Sequence, residues 1–226
     1  MASAIVNTAN GMDDVEIIGL AGPQAPQWET GATWVPSLDQ LPSKPDFLID
    51  FTLPDGTRAA AEWCAANSVP LVSGVTGLHD DIVAALHAAA EKVAVLWSPN
   101  LSLGVNLLAD LAGRTGAVLP DDVPVHIQDI HHQWKKDAPS GTALMLGERI
   151  GEGRGGDVSG IEYDSVREGE VIGVHSVTFR MDGEEFDLVH RAHDRSIYAR
   201  GAISAGRWLM AQAAGYYAAR DWLAGI

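Results

Sequence analysis

The run His131-His132-Gln133-Trp134-Lys135-Lys136-Asp137-Ala138-Pro139-Ser140-Gly141-Thr142-Ala143 gathers two imidazoles, an amine and a helix start into one short stretch. Imidazole exchanges protons near neutral pH, so either histidine is a candidate for proton transfer. Lys135 adds a cation that can hold a carboxylate, or donate a proton where partial burial lowers its pKa. Pro139 ends any preceding regular element. Ser140 is placed to cap a helix whose apolar positions Ala143, Leu146 and Ile150 follow at helical spacing. The amides of Gly141 and Thr142 are then expected to lie open at the helix start, where N–H groups and the helix dipole favour an anion. Gly141 has no side chain to hold a ligand off the backbone. The chemistry is that of a carboxylate-binding, proton-donating site. A single surface His or Lys is commonplace; the clustering is what distinguishes these.

The elements that must position this run can be read around it. Residues 125–130 form a strand candidate, so His131 and His132 leave its end toward opposite sides. Upstream, short apolar strands at 15–21, 47–52, 70–73 and 93–97 alternate with alanine-rich helical segments at 56–67 and 80–92. That order predicts a parallel sheet with right-handed crossovers. The loops after its strands, at Thr52-Leu53-Pro54, Gly74 to Gly77 and Ser98 to Asn100, then share the sheet edge where open parallel sheets bind ligands. After a helix beginning near Ser102, strands at 125–130, 171–180 and 185–190 follow, the last two flanking the hairpin signal Met181-Asp182-Gly183-Glu184. Residues 151–160, rich in glycine, read as a flexible loop, and 196–223 as helical. Two chain crossings near Leu101 and Ala199 make a natural hinge. The fold class is α/β: a Rossmann-like parallel-sheet domain plus a second α+β domain with a mostly antiparallel sheet.

The signature run resembles that of the 4-hydroxy-tetrahydrodipicolinate reductases (dihydrodipicolinate reductases), whose pattern HHxxKxDAPSGTA is filled at every fixed position. Asp50-Phe51-Thr52 with Pro54 is similar to the family's DFT-x-P segment, and Gly74-Val75-Thr76-Gly77 to its GTTG loop. Ser98 to Asn106 resembles APN-F-S-x-G-V-N, Arg167 to His175 resembles RxGxxxGEH, and Ala192 to Ala202 resembles A-x-x-R-x-x-F-A-x-G-A. The resemblance implies a two-domain reductase using NADH or NADPH, usually a homotetramer, acting on a cyclic dicarboxylate in lysine and diaminopimelate biosynthesis. It assigns proton handling to His131 and Lys135 and carboxylate binding to His132, Gly141 and Thr142. Gly74, Val75, Thr76, Ser98, Pro99, Asn100 and Leu101 are expected to line the nicotinamide end of the cofactor. Residues 1–101, completed by 200–226, are expected to bind the dinucleotide, and 102–199 to bind substrate and form the oligomer.

The beginning of the chain departs from the pattern. Family members open with a strand and a G-x-x-G-R-M-G turn, whereas here residues 1–12 already resemble the first helix and 15–21 the second strand. A misplaced start is the expected account, a truly shortened protein the alternative. The first strand of the sheet is then missing, which leaves a gap or an exposed edge, with weakened nucleotide affinity. Gly22-Pro23-Gln24 offers no charged residue at the position that contacts the ribose or its phosphate, so cofactor preference is unreadable. Val75, Leu101 and Val174 are smaller departures.

Composition agrees with this class. The formal net charge is −15, which argues against a nucleic-acid partner and requires a local positive patch for an anionic ligand. His131, His132, Lys135, Lys136, Arg167 and Arg195 are the candidates for that patch. Apolar runs are too short for a bilayer span and the start lacks the basic residues of a signal peptide, so the cytoplasm is expected and no membrane partner. Asp80-Asp81 and Glu184-Glu185 read as solubilising. The single Cys64 reads as core packing. His175, His190 and His193 read as support for the second domain, and no ligand spacing argues for a metal. Two rival readings are a non-catalytic binding or assembly homologue with impaired nucleotide binding, and a reductase of the same fold acting on another ring.

Overall fold

A computed structural model describes residues 1–226, which divide into two units, 1–102 with 196–226, and 103–195. In chain order the elements are α1 (Ala2–Ala9), β1 (Leu20–Ala21), β2 (Trp34–Val35), β3 (Leu48–Asp50), α2 (Pro54–Asn67), β4 (Leu71–Ser73), α3 (Asp80–Ala90), β5 (Ala94–Trp97), α4 (Leu103–Val118), β6 (Val125–His131), α5 (Gly141–Gly153), β7 (Ile161–Arg167), β8 (Gly173–Met181), β9 (Glu184–Ala192), α6 (Ser196–Leu209), β10 (Gly215–Tyr217) and α7 (Ala219–Ala224). None of the helices is long and apolar enough to cross a membrane.

The first unit holds a parallel sheet in the order β10-β5-β4-β3. Its strands are apolar at nearly every position because both faces are covered. Leu71 and Val95 pack with Ala60, Ala61 and Cys64 of α2 and Leu86 of α3, while Val72 and Leu96 face Ala202, Ala205 and Leu209 of α6 and Trp222 of α7. The buried residues of α2, Thr57, Ala60, Ala61 and Cys64, recur at helical spacing. Pro54 starts that helix and Ser68, in the left-handed region, ends it. Each fully buried leucine contributes on the order of 1.5–3 kcal/mol. Cys64 is fully buried, and its thiol is pushed up to about 12 by burial, with Asp50 adding to the shift, which leaves it inert at neutral pH.

The strand read at 15–21 is realised only at Leu20–Ala21, paired in parallel with Trp34–Val35. Leu20 and Ala21 have β2 as their one paired neighbour. β3 pairs with β4 alone, and a groove of about 1550 Å³ is lined both by Ile17, Gly19 and Ala21 and by Ile49 and Phe51. A second correction concerns 196–223: the helix stops at Leu209 and the chain then adds β10, a short strand of Gly215, Tyr216 and Tyr217 alongside β5. Two aromatics fit a half-buried pleated surface better than a continued helix.

The second unit carries a sheet in the order β7-β6-β8-β9, parallel between β6 and β7 and antiparallel elsewhere. The β8–β9 hairpin turns at Asp182-Gly183, with Gly183 at φ +81° as a tight two-residue turn requires. One strand went unread in the sequence, β7, although its pattern I-E-Y-D-S-V-R alternates as a strand should. Helices α4 and α5 pack on one face, over Val125, Ile127, Val177 and Phe179. The glycine-rich stretch at 151–160 is in part helical, because α5 runs to Gly153. A Cβ on Gly153 would stand 2.2 Å from the Gly113 carbonyl oxygen, and one on Gly116 2.9 Å from that of Ile150. These glycines let α4 and α5 approach closely.

Candidate active site

Strand β6 reads V-H-I-Q-D-I-H, and its buried positions are Val125, Ile127, Asp129 and His131. The inward row therefore turns from apolar to polar halfway along the strand. Register carries the change across the sheet: Asp129 sits beside Ser165 on β7 and His175 on β8, and His131 beside Arg167. These four neighbours of Asp129 come from the same end of the sheet, so strand periodicity assembles the site.

Asp129 is fully buried. Its Oδ1 accepts from His131 Nδ1 at 2.8 Å and from Arg167 at 2.9 Å. Its Oδ2 accepts from the Ser165 hydroxyl at 2.6 Å and from the Ser140 amide at 3.3 Å. Burial pushes the carboxyl up, but the hydrogen bonds from Ser165 and Ser140 and the charge and hydrogen bond of Arg167 outweigh it, holding Asp129 below the usual carboxylate range. An ionised carboxylate only accepts, so His131 donates from Nδ1.

The His131 ring is nearly buried, and a Cβ on Gly173 would stand 3.3 Å from its Nε2. The His175 ring meets it edge-on at 5.0 Å between centroids. Burial lowers the His131 pKa, the Lys135 charge lowers it further, the hydrogen bond and charge of Asp129 oppose them, and Arg167 adds a small depression; the net direction is down. His175 is pushed down to about 3, by burial first and then by His131.

Lys135 follows a tight turn closed by its amide on the His132 carbonyl, and its ammonium lies 2.8 Å from Asp137. His132 takes no part in the Asp129 network; its ring lies 5.8 Å from that of Trp134. The expected cap is present: Ser140 Oγ accepts from the Ala143 amide at 3.2 Å and α5 begins at Gly141. The place of a Cβ on Gly141 has nothing within 4 Å, so the backbone there is open to a ligand. Thr142 stands next in the first turn of α5. Arg167, expected in the positive patch, is committed elsewhere: its guanidinium is tied to Asp129 and to the Asp137 carbonyl. Its charge serves the buried carboxylate.

Asp129, Ser165 and the contact of His175 with Ser140, 3.4 Å between Nε2 and Oγ, were not read from sequence. A signal existed for the first. An acid two residues before His131, at an inward position of an otherwise apolar row, is out of place in a core unless paired.

In the first unit the expected cofactor residues lie on the loops after β4 and β5. Gly74 is required by packing, since a Cβ there would stand 2.4 Å from the Phe51 ring. Val75 is buried and its carbonyl accepts from the Trp97 indole at 2.8 Å. Thr76 is exposed, and Gly77 follows at φ +68° in open space. Ser98 is buried and donates to the Asn100 carbonyl at 2.7 Å, across Pro99, and the Asn100 side chain accepts from the Ser102 amide at 2.9 Å. Leu101 is a core residue, its carbonyl lying where a Cβ on Gly201 would be, 1.7 Å away. Val75 and Leu101 are thus core residues, with the Val75 amide and carbonyl already taken by the Ser73 hydroxyl and the Trp97 indole and the Leu101 carbonyl packed on Gly201. The open backbone at Gly77 and the exposed Thr76, at the carboxyl end of a parallel sheet, fit a dinucleotide's nicotinamide end.

Two family models match. One described as dihydrodipicolinate reductase, N-terminus, covers residues 1–101, and its C-terminal counterpart covers 104–223. The 4-hydroxy-tetrahydrodipicolinate reductase of a Nitratiruptor species is 39% identical over 210 residues, 85% of this chain and 82% of that protein. The enzyme of the same name from Xanthomonas euvesicatoria pv. vesicatoria is 45% identical over 176 residues, 78% of this chain and 72% of its own. In fold, the chain is similar to a dipicolinate-bound dihydrodipicolinate reductase from a Paenisporosarcina species, with TM-score 0.81 at 24% identity, over 95% of this chain and 92% of that one. With two matched models spanning nearly all of its length, the chain belongs to the dihydrodipicolinate reductase family.

Proposed function

We propose that this protein is a 4-hydroxy-tetrahydrodipicolinate reductase, in which His131 and Lys135 handle protons and His132, Gly141 and Thr142 hold a substrate carboxylate. The observation that carries it is a single carboxylate, Asp129, joining the imidazole of His131 to the amide that opens the α5 cradle. Proton transfer and carboxylate binding are thereby tied to one rigid strand end. Members of the family use NADH or NADPH, and the first unit is the nucleotide-binding one.

When bound, the reduced nicotinamide supplies a hydride. For the reaction to balance, one proton would enter with that hydride and the substrate's hydroxyl would leave as water, and supplying that proton falls to His131 and Lys135. With Nδ1 taken by Asp129, Nε2 is the ring nitrogen left to His131 for proton exchange with a ligand. Lys135, held on Asp137, keeps an ammonium beside that imidazole. The Gly141 backbone offers a carboxylate an unobstructed approach to the helix start. Gly74, Val75, Thr76, Ser98, Pro99, Asn100 and Leu101 form the loops that receive the nicotinamide end.

The same reading makes the protein a cytoplasmic homotetramer. Supporting an assembly, the sheet face of the second unit away from α4 and α5 carries the half-buried Ile130, Val174 and Thr178. Sedimentation of the purified protein reads its mass directly.

The decisive assay follows loss of reduced-nicotinamide absorbance on addition of 4-hydroxy-tetrahydrodipicolinate. Turnover that requires the substrate supports the reading. The groove beside β3 favours a second reading, a homologue with impaired nucleotide binding. Absence of binding at millimolar NADH and NADPH, together with retained dipicolinate binding, is the outcome that selects it.

A further inference from the structure

We propose that Asp129 is the positioning residue of this site, fixing the tautomer of His131 with one oxygen while holding the start of the carboxylate cradle with the other. The proposal rests on the reading of His131 as the proton-handling group and names the residue that makes it one. Asp129 is fully buried and accepts four hydrogen bonds, two on each oxygen. Arg167 supplies the compensating charge at 2.9 Å. A carboxylate so placed accepts only, so it selects the His131 tautomer with the proton on Nδ1 and leaves Nε2 as the nitrogen that meets a ligand. On its far side the same carboxylate takes the Ser140 amide, whose residue also caps α5 through Ala143. Displacing Asp129 therefore moves the imidazole and the cradle together.

Structural burial alone does not account for this arrangement. Ser165, Arg167 and the Ser140 amide already give the carboxylate three donors, and the His131 bond adds a fourth. The charged and titratable groups facing His131 are Asp129 on its own strand, Arg167 on β7, His175 on β8 and Lys135 in the following loop. Of these only Asp129 favours the protonated imidazole. It is both the orienting contact and the one anion among them.

The experiment begins with the native protein. Nitrogen-15 NMR of histidine-labelled enzyme should show His131 protonated on Nδ1 when neutral, and a proton on Nε2 overturns the proposal. Asp129→Asn turns an amide nitrogen toward His131 or the Ser140 amide and removes the anion. It should lower kcat by about 100-fold, shift the alkaline limb of the kcat profile, set by loss of the His131 proton, to lower pH, and leave cofactor affinity within about twofold, while Asp129→Glu restores part of the rate. Combined with His131→Gln, D129N should cost kcat nothing further, because both act on proton transfer through one imidazole, while the cradle held through the Ser140 amide shows separately as a raised KM for the dicarboxylate. A D129N loss that persists undiminished in the H131Q background overturns the proposal, as does native kcat in D129N beside a crippled H131Q. Native kcat in H131Q is a different result: it sinks the assignment of His131 itself. Should D129N fail to fold, the tautomer in the native enzyme still decides.

Discussion

Each unit buries one aspartate at the carboxyl end of a strand, and the two are put to different uses. Asp50, 3% exposed, accepts from the Thr52 amide and hydroxyl and from the Ser73 hydroxyl. All its hydrogen-bond donors are neutral and local to the β3 and β4 ends, so it knits two loops into a rigid sheet edge. Asp129 takes an imidazole and a guanidinium as well as a hydroxyl and an amide. The same device, a buried carboxylate satisfied by several donors, is a staple in one unit and an electrostatic control in the other. The partners decide which.

The sharpest way to break the comparison is at the groups the second carboxylate serves. His131→Gln should lower kcat by about 100-fold or more, with cofactor affinity nearly unchanged, since general acid–base groups contribute on the order of 10²–10⁴; steady-state kinetics beside a cofactor titration reads both. Equal loss of turnover and cofactor binding would contradict the role. Asp50→Asn, by contrast, should cost about 1–3 kcal/mol of stability through strained hydrogen bonds and leave the pH dependence of kcat where it was. Denaturant unfolding and a pH profile distinguish it from D129N.

His175 sharpens the contrast from the side of stability. Its folded pKa lies near 3 against 6.5 unperturbed. The unfolded chain therefore binds the proton more tightly, and stability present above 6.5 is lost as pH falls toward 3. Asp129, also depressed, works in the same direction at the acid end. Thermal unfolding should show a midpoint that rises with pH through this window, and His175→Gln should flatten it; a midpoint indifferent to pH would show that His175 is solvated. The smallest structural effect is expected of Gly141→Ala. Open space surrounds the added methyl, so stability should stay within about 0.5 kcal/mol, whereas KM for the dicarboxylate should rise severalfold. An unchanged KM would remove the Gly141 backbone from the binding site.

Much of this was legible because it is local. The cap at Ser140 and the helix after it follow from Ser-Gly-Thr-Ala and the spacing of Ala143, Leu146 and Ile150, which backbone chemistry fixes within a single turn. The alternation of apolar strands and alanine-rich helices in the first unit was likewise plain. What escaped depended on distant neighbours. The strand read at 15–21 is realised only at Leu20–Ala21, where β2 offers an edge, and Gly153 sits in a helix whose end closes on the Gly113 carbonyl of α4. Gly215 to Tyr217 form a strand only because β5 offers an edge.

The sequence by itself determined the residues of the proton-transfer run, the helix start beside them and the membership of a family, since these depend on residue type and short spacing. Only the tertiary structure decided what those residues touch. It placed Arg167, far along the chain, on Asp129 instead of leaving it for substrate, and brought Ser165 and His175 to the same row. Sheet register set these meetings, and register is fixed by packing over the whole face, a condition that no short segment contains.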